Sequence, residues 1–197
     1  MCRNDLRALG GLVAFKVAVI ATFILLGGSL YKLGYVWDAE IYMRIATLGY
    51  LPIWSNASDY VFAPLFPFLI SLSHLGYAGA LLIANMFALG TIYLIYKLSN
   101  LAAALLFGAV PTFLLFGSVA YADSMMLFFL VLAYYSYVKD NYLVMWGAVT
   151  FSFLSKYVAL LAVPLFFCLF VWKLRSTQLD AKVSSVIWGI GGGIIPI

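Results

Sequence analysis

The sequence predicts an all-α polytopic membrane protein, with about seven transmembrane helices of roughly 20 residues each and two short interfacial helices in the first outer loop. Hydrophobic residues make up 66% of the 197 positions and charged residues only 9%, whereas soluble domains carry about 25% charge. The apolar positions form long runs, and the segment 32–60 is the longest interruption between them. A surface with so little charge suits a bilayer better than water.

The first predicted span follows Arg3 and Arg7 and is interpreted as a retained signal anchor. Within it, Lys16 is expected to snorkel toward the cytoplasmic interface. The run Val61–Tyr96 is too long for one span, because its roughly 36 residues would extend about 54 Å across a core of about 30 Å. A break at HLGYAG divides this run into an interfacial helix, Phe62–Leu75, and a span. The predicted spans are Leu9–Tyr31, Ala78–Tyr96, Leu101–Ser118, Ala122–Val138, Tyr142–Leu154, Tyr157–Trp172 and the run from Val183 onward.

A single transmembrane domain, 1–197, is expected, with the outer loop and its interfacial helices at 32–77. Lysine and arginine are commoner in the loops on one side of the predicted spans, which places the N-terminus inside. Counting Phe62–Leu75 as a full span would turn most later loop cations outward, so we reject that topology. The preferred topology brings charged residues from separate segments to the outer face, namely Asp38, Glu40, Arg44, Asp59, Asp123 and Lys156.

The segment DAEIYMRIATLG predicts a short helix that begins at Asp38, a good N-cap, and ends at Gly49. Glu40 and Arg44 are spaced i,i+4, so we expect them to form a surface ion pair. Asp38 is left without a local partner, on a helix face that it shares with Tyr42. Either Asp38 is only a helix cap or it carries chemistry, and the local pattern leaves both open.

Asp123 and Lys156 each lie at a predicted membrane boundary. Asp123 either caps a helix that begins near Ala122 or belongs to a site, which is the default interpretation of an acid at the membrane edge. Lys156 either snorkels to the surface or binds a phosphate as a point charge. The two cysteines and the single histidine are too few for a metal cluster. Without a basic run interleaved with aromatic residues, the sequence does not predict nucleic-acid binding.

Four segments follow one another along the chain: WDAEIYMRIATLGY, FAPLFPFLI, PTFLLFGSVAYADSMMLFFLVLAYYSY and FLSKYVALLAVP. In this order they resemble the GPI mannosyltransferase II family and its prokaryotic relatives, within the GT-C superfamily of polyprenyl-phosphate-sugar-dependent glycosyltransferases. The resemblance covers roughly Tyr35–Pro164. It implies an inverting, membrane-embedded enzyme that moves mannose from dolichyl phosphate mannose to a hydroxyl of a lipid or glycolipid acceptor.

The resemblance also implies roles for individual residues. The family's Trp-Asp pair falls on Trp37 and Asp38, and its aspartate is the expected catalytic base. The proline-containing element falls on Pro64 and Pro67, and Lys156 stands where many relatives have an arginine. The residues expected to bind the substrate are Trp37, Glu40, Tyr42, Arg44, Asp123 and Lys156.

The expected partners are the membrane, the lipid-linked sugar donor and the acceptor. No cofactor and no metal is expected to be required, although some superfamily members use a divalent cation, for which carboxylates are suitable ligands. The expected location is a prokaryotic plasma membrane or an endoplasmic reticulum membrane, with the active face outer or lumenal. The relatives are longer, so the chain is expected to lack their C-terminal half. The alternatives are a non-catalytic membrane subunit or inactive fragment that needs a partner chain, and, less favoured, a small transporter.

Overall fold

The computed structural model describes residues 3–29, 38–52 and 57–175, and every regular element in these ranges is a helix. The chain divides into two compact units, Met1–Leu160 and Leu161–Ile197. The α-helices are α1 (Arg3–Leu25), α2 (Asp38–Leu48), α3 (Leu65–Ser73), α4 (Gly76–Leu98), α5 (Leu101–Gly108), α6 (Pro111–Phe116), α7 (Asp123–Val138), α8 (Tyr142–Ser155) and α9 (162–175). Short 3-10 helices lie at Ala57–Val61 and Tyr157–Leu161.

Two helical segments in the described ranges are long and apolar enough to cross a membrane, and these are Gly76–Leu98 and Tyr157–Arg175. The first contains the helix expected at Ala78–Tyr96, and the second contains the one expected at Tyr157–Trp172. Shorter apolar helices occupy Val13–Thr22, Asp123–Val138 and Tyr142–Ser155. The all-helical fold is therefore confirmed, whereas the count of about seven spans stays a prediction. The span expected from Val183 onward lies outside the described residues.

The break expected at HLGYAG is present between α3 and α4. His74 ends α3 with a left-handed backbone, φ 54°, and its N–H donates to the Ser71 carbonyl. Gly76 follows with φ 56°, a conformation that glycine adopts without steric cost. The helix expected at Phe62–Leu75 is therefore shorter than predicted, because α3 ends before this left-handed turn.

The segment Leu101–Ser118, which was expected to form one span, is not a single continuous helix. Two short helices, α5 and α6, occupy this segment, and the chain leaves helical geometry at Val110, where φ is −59° and ψ is 123°. The cause is Pro111, which lacks an N–H and forces the preceding residue toward an extended conformation. Proline is well suited to the first turn of the next helix, and α6 begins with it.

Helices α4, α7 and α8 pack closely because small residues lie between them. Ala80, Ala84 and Ala88 on α4 are fully buried, and the Ser124 hydroxyl at the start of α7 donates to the Ala84 carbonyl at 2.9 Å. Interfaces rich in alanine, glycine and serine are typical of helices that approach one another in membranes. This packing aligns the first residue of α7 beside the last turn of α8, because α7 and α8 are joined by a short connection and run antiparallel.

The two helices expected in the first outer loop are present as α2 and α3, and they pack on each other. The Tyr42 ring of α2 is buried edge-on against Phe62 and Phe66, with ring centroids 5.0 and 5.1 Å apart. The Tyr50 hydroxyl, just after α2, donates to the Phe62 carbonyl at 2.7 Å. Edge-to-face aromatic pairs and a hydroxyl bond of this length fix the angle between the two segments.

Candidate functional site

A cleft of about 320 Å³ lies where several helix ends meet. Its wall contains three of the charged residues expected at the site, Asp38, Asp123 and Lys156. They come from the start of α2, the start of α7 and the residue that follows α8. The remaining lining residues are Phe116 and Tyr121, from the end of α6 and the connection to α7. The structure thus brings together groups that are separated by up to about 120 residues along the chain.

Asp123 and Lys156 form an ion pair inside this cleft. The Lys156 Nζ lies 2.9 Å from both carboxylate oxygens of Asp123, and the two side chains are 31% and 23% exposed. An acid at the start of one helix and a cation at the end of its antiparallel neighbour are each stabilised by the dipole of the helix end where they lie. Ala122, not Asp123, occupies the cap position of α7, and no side chain caps that end. Asp123 is therefore held by Lys156 and does not serve as a conventional cap.

Asp38 is the first residue of α2 and is half-buried at the edge of the cleft. It forms no ion pair with any residue in the described ranges. The two carboxylates and the one ammonium of the cleft leave one negative charge uncompensated among the lining residues. A half-buried carboxylate that is not neutralised by a neighbouring cation can accept a proton from a bound hydroxyl.

Tyr121 is a lining residue that the sequence did not predict. Its ring stacks on Phe116, with centroids 5.4 Å apart and planes inclined by 24°. Burial, and then the negative charges of Asp38 and Asp123, raise the pKa of the Tyr121 phenol. The available signal was its position two residues before Asp123, which is weak in a chain with 14 tyrosines.

The expected Glu40–Arg44 ion pair is wrong. The Arg44 guanidinium pairs instead with Asp59, from the 3-10 helix Ala57–Val61, and the Asp59 side chain is fully buried. Glu40 is exposed to solvent. A buried carboxylate gains far more from a cation than an exposed one does, because water no longer solvates it. The pairing therefore follows burial and not the i,i+4 spacing.

Three residues expected to bind substrate lie away from the cleft. Tyr42 is buried between α2 and α3, and burial raises the pKa of its phenol well above the usual range. Glu40 and Arg44 line a separate depression of about 300 Å³, together with Met43 and Thr47. Their binding roles stay predictions. Trp37 lies outside the described residues.

Lys16 does not snorkel to the interface as expected. Its side chain is buried, and its Nζ donates to the Gly117 carbonyl at 2.5 Å. Gly117 ends α6, where carbonyls lack intrahelical partners and attract a cation. Since Gly117 opens the buried connection to α7, this bond links α1 to the segment that contains Tyr121.

The cleft contains a limited set of possible metal ligands. Asp38 and Asp123 supply carboxylate oxygens, but both Asp123 oxygens contact Lys156. Within the described ranges, histidine, cysteine, aspartate and glutamate form no group of three or more. A divalent cation at this position would have Asp38 as its available carboxylate, and it could use Asp123 as well only by displacing the Lys156 contact.

Comparison of the chain with protein-family models, curated proteins and solved structures finds no significant match.

Proposed function

We propose that this chain is a membrane-embedded inverting glycosyltransferase of the GT-C type. It transfers mannose from a polyprenyl or dolichyl phosphate carrier to a hydroxyl of a lipid-linked acceptor. The observation that carries the proposal is the cleft that unites Asp38 with the Asp123–Lys156 pair. A carboxylate for proton abstraction and an ammonium for a phosphate are the two groups that this transfer needs from a protein.

In the proposed reaction, Asp38 is the general base. The acceptor hydroxyl oxygen attacks the anomeric carbon of the sugar while the carboxylate of Asp38 takes the hydroxyl proton. The bond between the anomeric carbon and the phosphate oxygen breaks, and the phosphate leaves with the bonding electron pair. Attack opposite the leaving phosphate inverts the anomeric configuration, so no covalent intermediate with the protein is required.

Lys156 is the proposed contact for the leaving phosphate. A lysine ammonium has three N–H donors, and the two bonds to Asp123 leave one for a phosphate oxygen. Negative charge grows on that oxygen as the glycosidic bond breaks, so the contact strengthens in the transition state. Asp123 then serves to position Lys156, which would otherwise be a flexible side chain.

The proposed setting is a GT-C-like transmembrane module of about seven spans, with the first outer loop contributing Asp38. The preferred orientation places the N-terminus inside and the cleft at the outer or lumenal face, by the distribution of loop lysines and arginines. The membrane is a prokaryotic plasma membrane or an endoplasmic reticulum membrane, in a pathway resembling GPI-anchor biosynthesis. A second membrane subunit is a further proposed partner.

The proposal is tested by supplying two kinds of radiolabelled donor to the chain purified in detergent. One donor is dolichyl phosphate mannose and the other is GDP-mannose, each with a mixture of lipid acceptors. We expect a labelled lipid product from the first donor only, with the anomeric configuration opposite to that of the donor. Retained configuration would overturn the inverting mechanism. No product from either donor would favour the non-catalytic subunit.

A further inference from the structure

We propose that Lys16 of α1 is a positioning residue for the cleft, because it holds the buried connection 117–122 in place. The Lys16 Nζ donates to the Gly117 carbonyl at 2.5 Å, across 101 positions of the chain. The connection and the residues on either side of it contribute three of the five lining residues, namely Phe116, Tyr121 and Asp123. The inference rests on the proposed function, since the groups that this bond positions are those that would contact the donor.

The surroundings of Lys16 are unusual for a lysine. The residue is only 4% exposed, and it forms no ion pair in the ranges that the structure describes. The narrow space beside it does not admit a water molecule, and its apolar walls are formed by Phe15, Ile92, Gly108, Phe113 and Leu114. A buried amino group with so few partners is costly, and an ionisable residue inside a predicted span is a candidate functional residue by default.

The acceptor of this bond, the Gly117 carbonyl, lies at a helix end. Gly117 is the cap residue of α6, where the last carbonyls have no intrahelical N–H. A Cβ at Gly117 would lie 3.0 Å from the Ala88 Cβ and 3.4 Å from the Lys16 Nζ. Both α4 and α1 therefore approach this backbone closely, and glycine permits the approach.

The connection that begins at Gly117 is buried along its whole length. The N–H groups of Gly117 and Tyr121 donate to the carbonyls of Phe113 and Val119, at 2.8 Å in each case. These bonds are local, so they give the connection its shape without fixing it against another helix. The Lys16 bond runs to α1 and therefore supplies a restraint of a different kind.

The position of Gly117 determines where the cleft groups lie. Phe116 stacks on Tyr121, with ring centroids 5.4 Å apart, so the two aromatic lining residues move together. Asp123 begins α7 directly after the connection and binds Lys156 at 2.9 Å. A shift of Gly117 relative to α1 would therefore displace the aromatic wall and the ammonium. A displacement of about 1 Å between reacting groups can lower a rate about 100-fold.

The substitution Lys16→Met separates positioning from stability. Methionine is unbranched like lysine, is apolar like the surrounding walls and has no N–H to donate. Removing a buried amino group and losing the bond to the Gly117 carbonyl act on stability in opposite directions, so the thermal midpoint in detergent should move by less than about 3 °C. A purely structural role predicts a lower midpoint with kcat unchanged.

The test compares Lys16→Met with Thr91→Val in the full chain. Thr91 is a matched control because its hydroxyl is buried and also donates to a backbone carbonyl, that of Phe87, at 2.9 Å within α4. The first readout is kcat and KM for dolichyl phosphate mannose. The second is amide hydrogen exchange of the peptide that contains residues 117–122, measured by mass spectrometry, which requires no turnover.

We expect Lys16→Met to lower kcat about 10-fold to 100-fold, with KM for the donor changed less than about 3-fold. The Gly117 and Tyr121 amides should exchange about 10-fold faster in Lys16→Met and at the unsubstituted rate in Thr91→Val. Unchanged kcat in Lys16→Met, or equal losses in both variants, would overturn the positioning role. Unchanged exchange would overturn the claim that Lys16 holds the connection.

The two proposals fail in distinguishable ways. If the unsubstituted chain forms no product from any donor, the proposed function is overturned, and the exchange measurement still decides whether Lys16 holds the connection. If the unsubstituted chain is active and Lys16→Met is equally active, the proposed function stands and the positioning role is overturned. Loss of folding in Lys16→Met would also overturn that role, in favour of a purely structural one.

Discussion

The Lys156 ammonium lies 2.9 Å from each carboxylate oxygen of Asp123, at the point where α7 begins and α8 ends. Neither residue is more than about a third exposed, and both line the cleft that Asp38 enters from α2. The pair therefore provides the cleft with a cation whose position is set by two packed helices. We expect the pair to contribute little to the stability of the fold and more to the binding of the donor phosphate.

Replacing Lys156 with Met should leave the stability of the fold almost unchanged but lower kcat/KM for the donor. A partly exposed pair contributes about 0–1 kcal/mol, so the thermal midpoint in detergent should shift little. Loss of a charged hydrogen bond to phosphate should lower kcat/KM for dolichyl phosphate mannose about 10-fold to 100-fold. Lys139→Met is the control, since Lys139 is exposed beyond the far end of α7. Equal kcat/KM in both variants would contradict the phosphate role.

Removing Arg44 should destabilise the fold far more than removing Glu40. Asp59 is fully buried, and Arg44→Met leaves its charge without the guanidinium, at a cost of about 3 kcal/mol. Glu40→Gln changes an exposed side chain and should cost less than about 0.5 kcal/mol. Thermal or denaturant unfolding in micelles measures the difference. Similar losses of unfolding free energy in both variants would contradict the Arg44–Asp59 pair and favour a Glu40–Arg44 pair.

Gly117→Ala should be destabilising, whereas Gly147→Ala should not. A Cβ at Gly117 would lie 2.7 Å from the Phe113 carbonyl oxygen and 3.0 Å from the Ala88 Cβ, so the backbone must shift. Overpacking of this kind costs about 1–3 kcal/mol. At Gly147, inside α8, nothing lies within 4 Å, and alanine should be neutral or stabilising by up to about 1 kcal/mol. The free energies of unfolding of the two variants test the comparison.

Stability should fall at alkaline pH in part through Tyr50. Burial raises the pKa of Tyr50 from 10.0 to about 12, so the folded chain holds this proton more tightly than the unfolded chain does. The contribution is fully present below pH 10 and is lost as the pH rises from about 10 to about 12. Tyr50→Phe should therefore have a shallower alkaline decline, measured as unfolding free energy against pH. An identical slope in both proteins would contradict the shift.

The apolar pattern predicted the helices well where their ends carry local signals. The break at HLGYAG and the bounds of α4 follow from glycine and run length, which are properties of a short segment. The same proline rule should have divided Leu101–Ser118 at Pro111, and the apolar run obscured it. Hydropathy alone therefore predicts a membrane helix without giving its interruptions.

The candidate site was predictable in composition but not in its pairings. Asp38, Asp123 and Lys156 were expected on one face, and the structure places them in one cleft. The partners of Arg44 and Lys16 lie 15 and 101 positions away, beyond any helical spacing rule. Such contacts depend on which groups are buried together, and sequence periodicity does not predict which distant segments pack against each other.

The most direct test of the central claim is the product yield of Asp38→Asn against Asp140→Asn. Asp140 is an exposed aspartate beyond the far end of α7, and asparagine tolerates its positive φ of 58°. With dolichyl phosphate mannose as donor, Asp38→Asn should lower the initial rate about 100-fold or more, and Asp140→Asn should match the unsubstituted chain. Equal rates for all three proteins would contradict the assignment of Asp38 as the base.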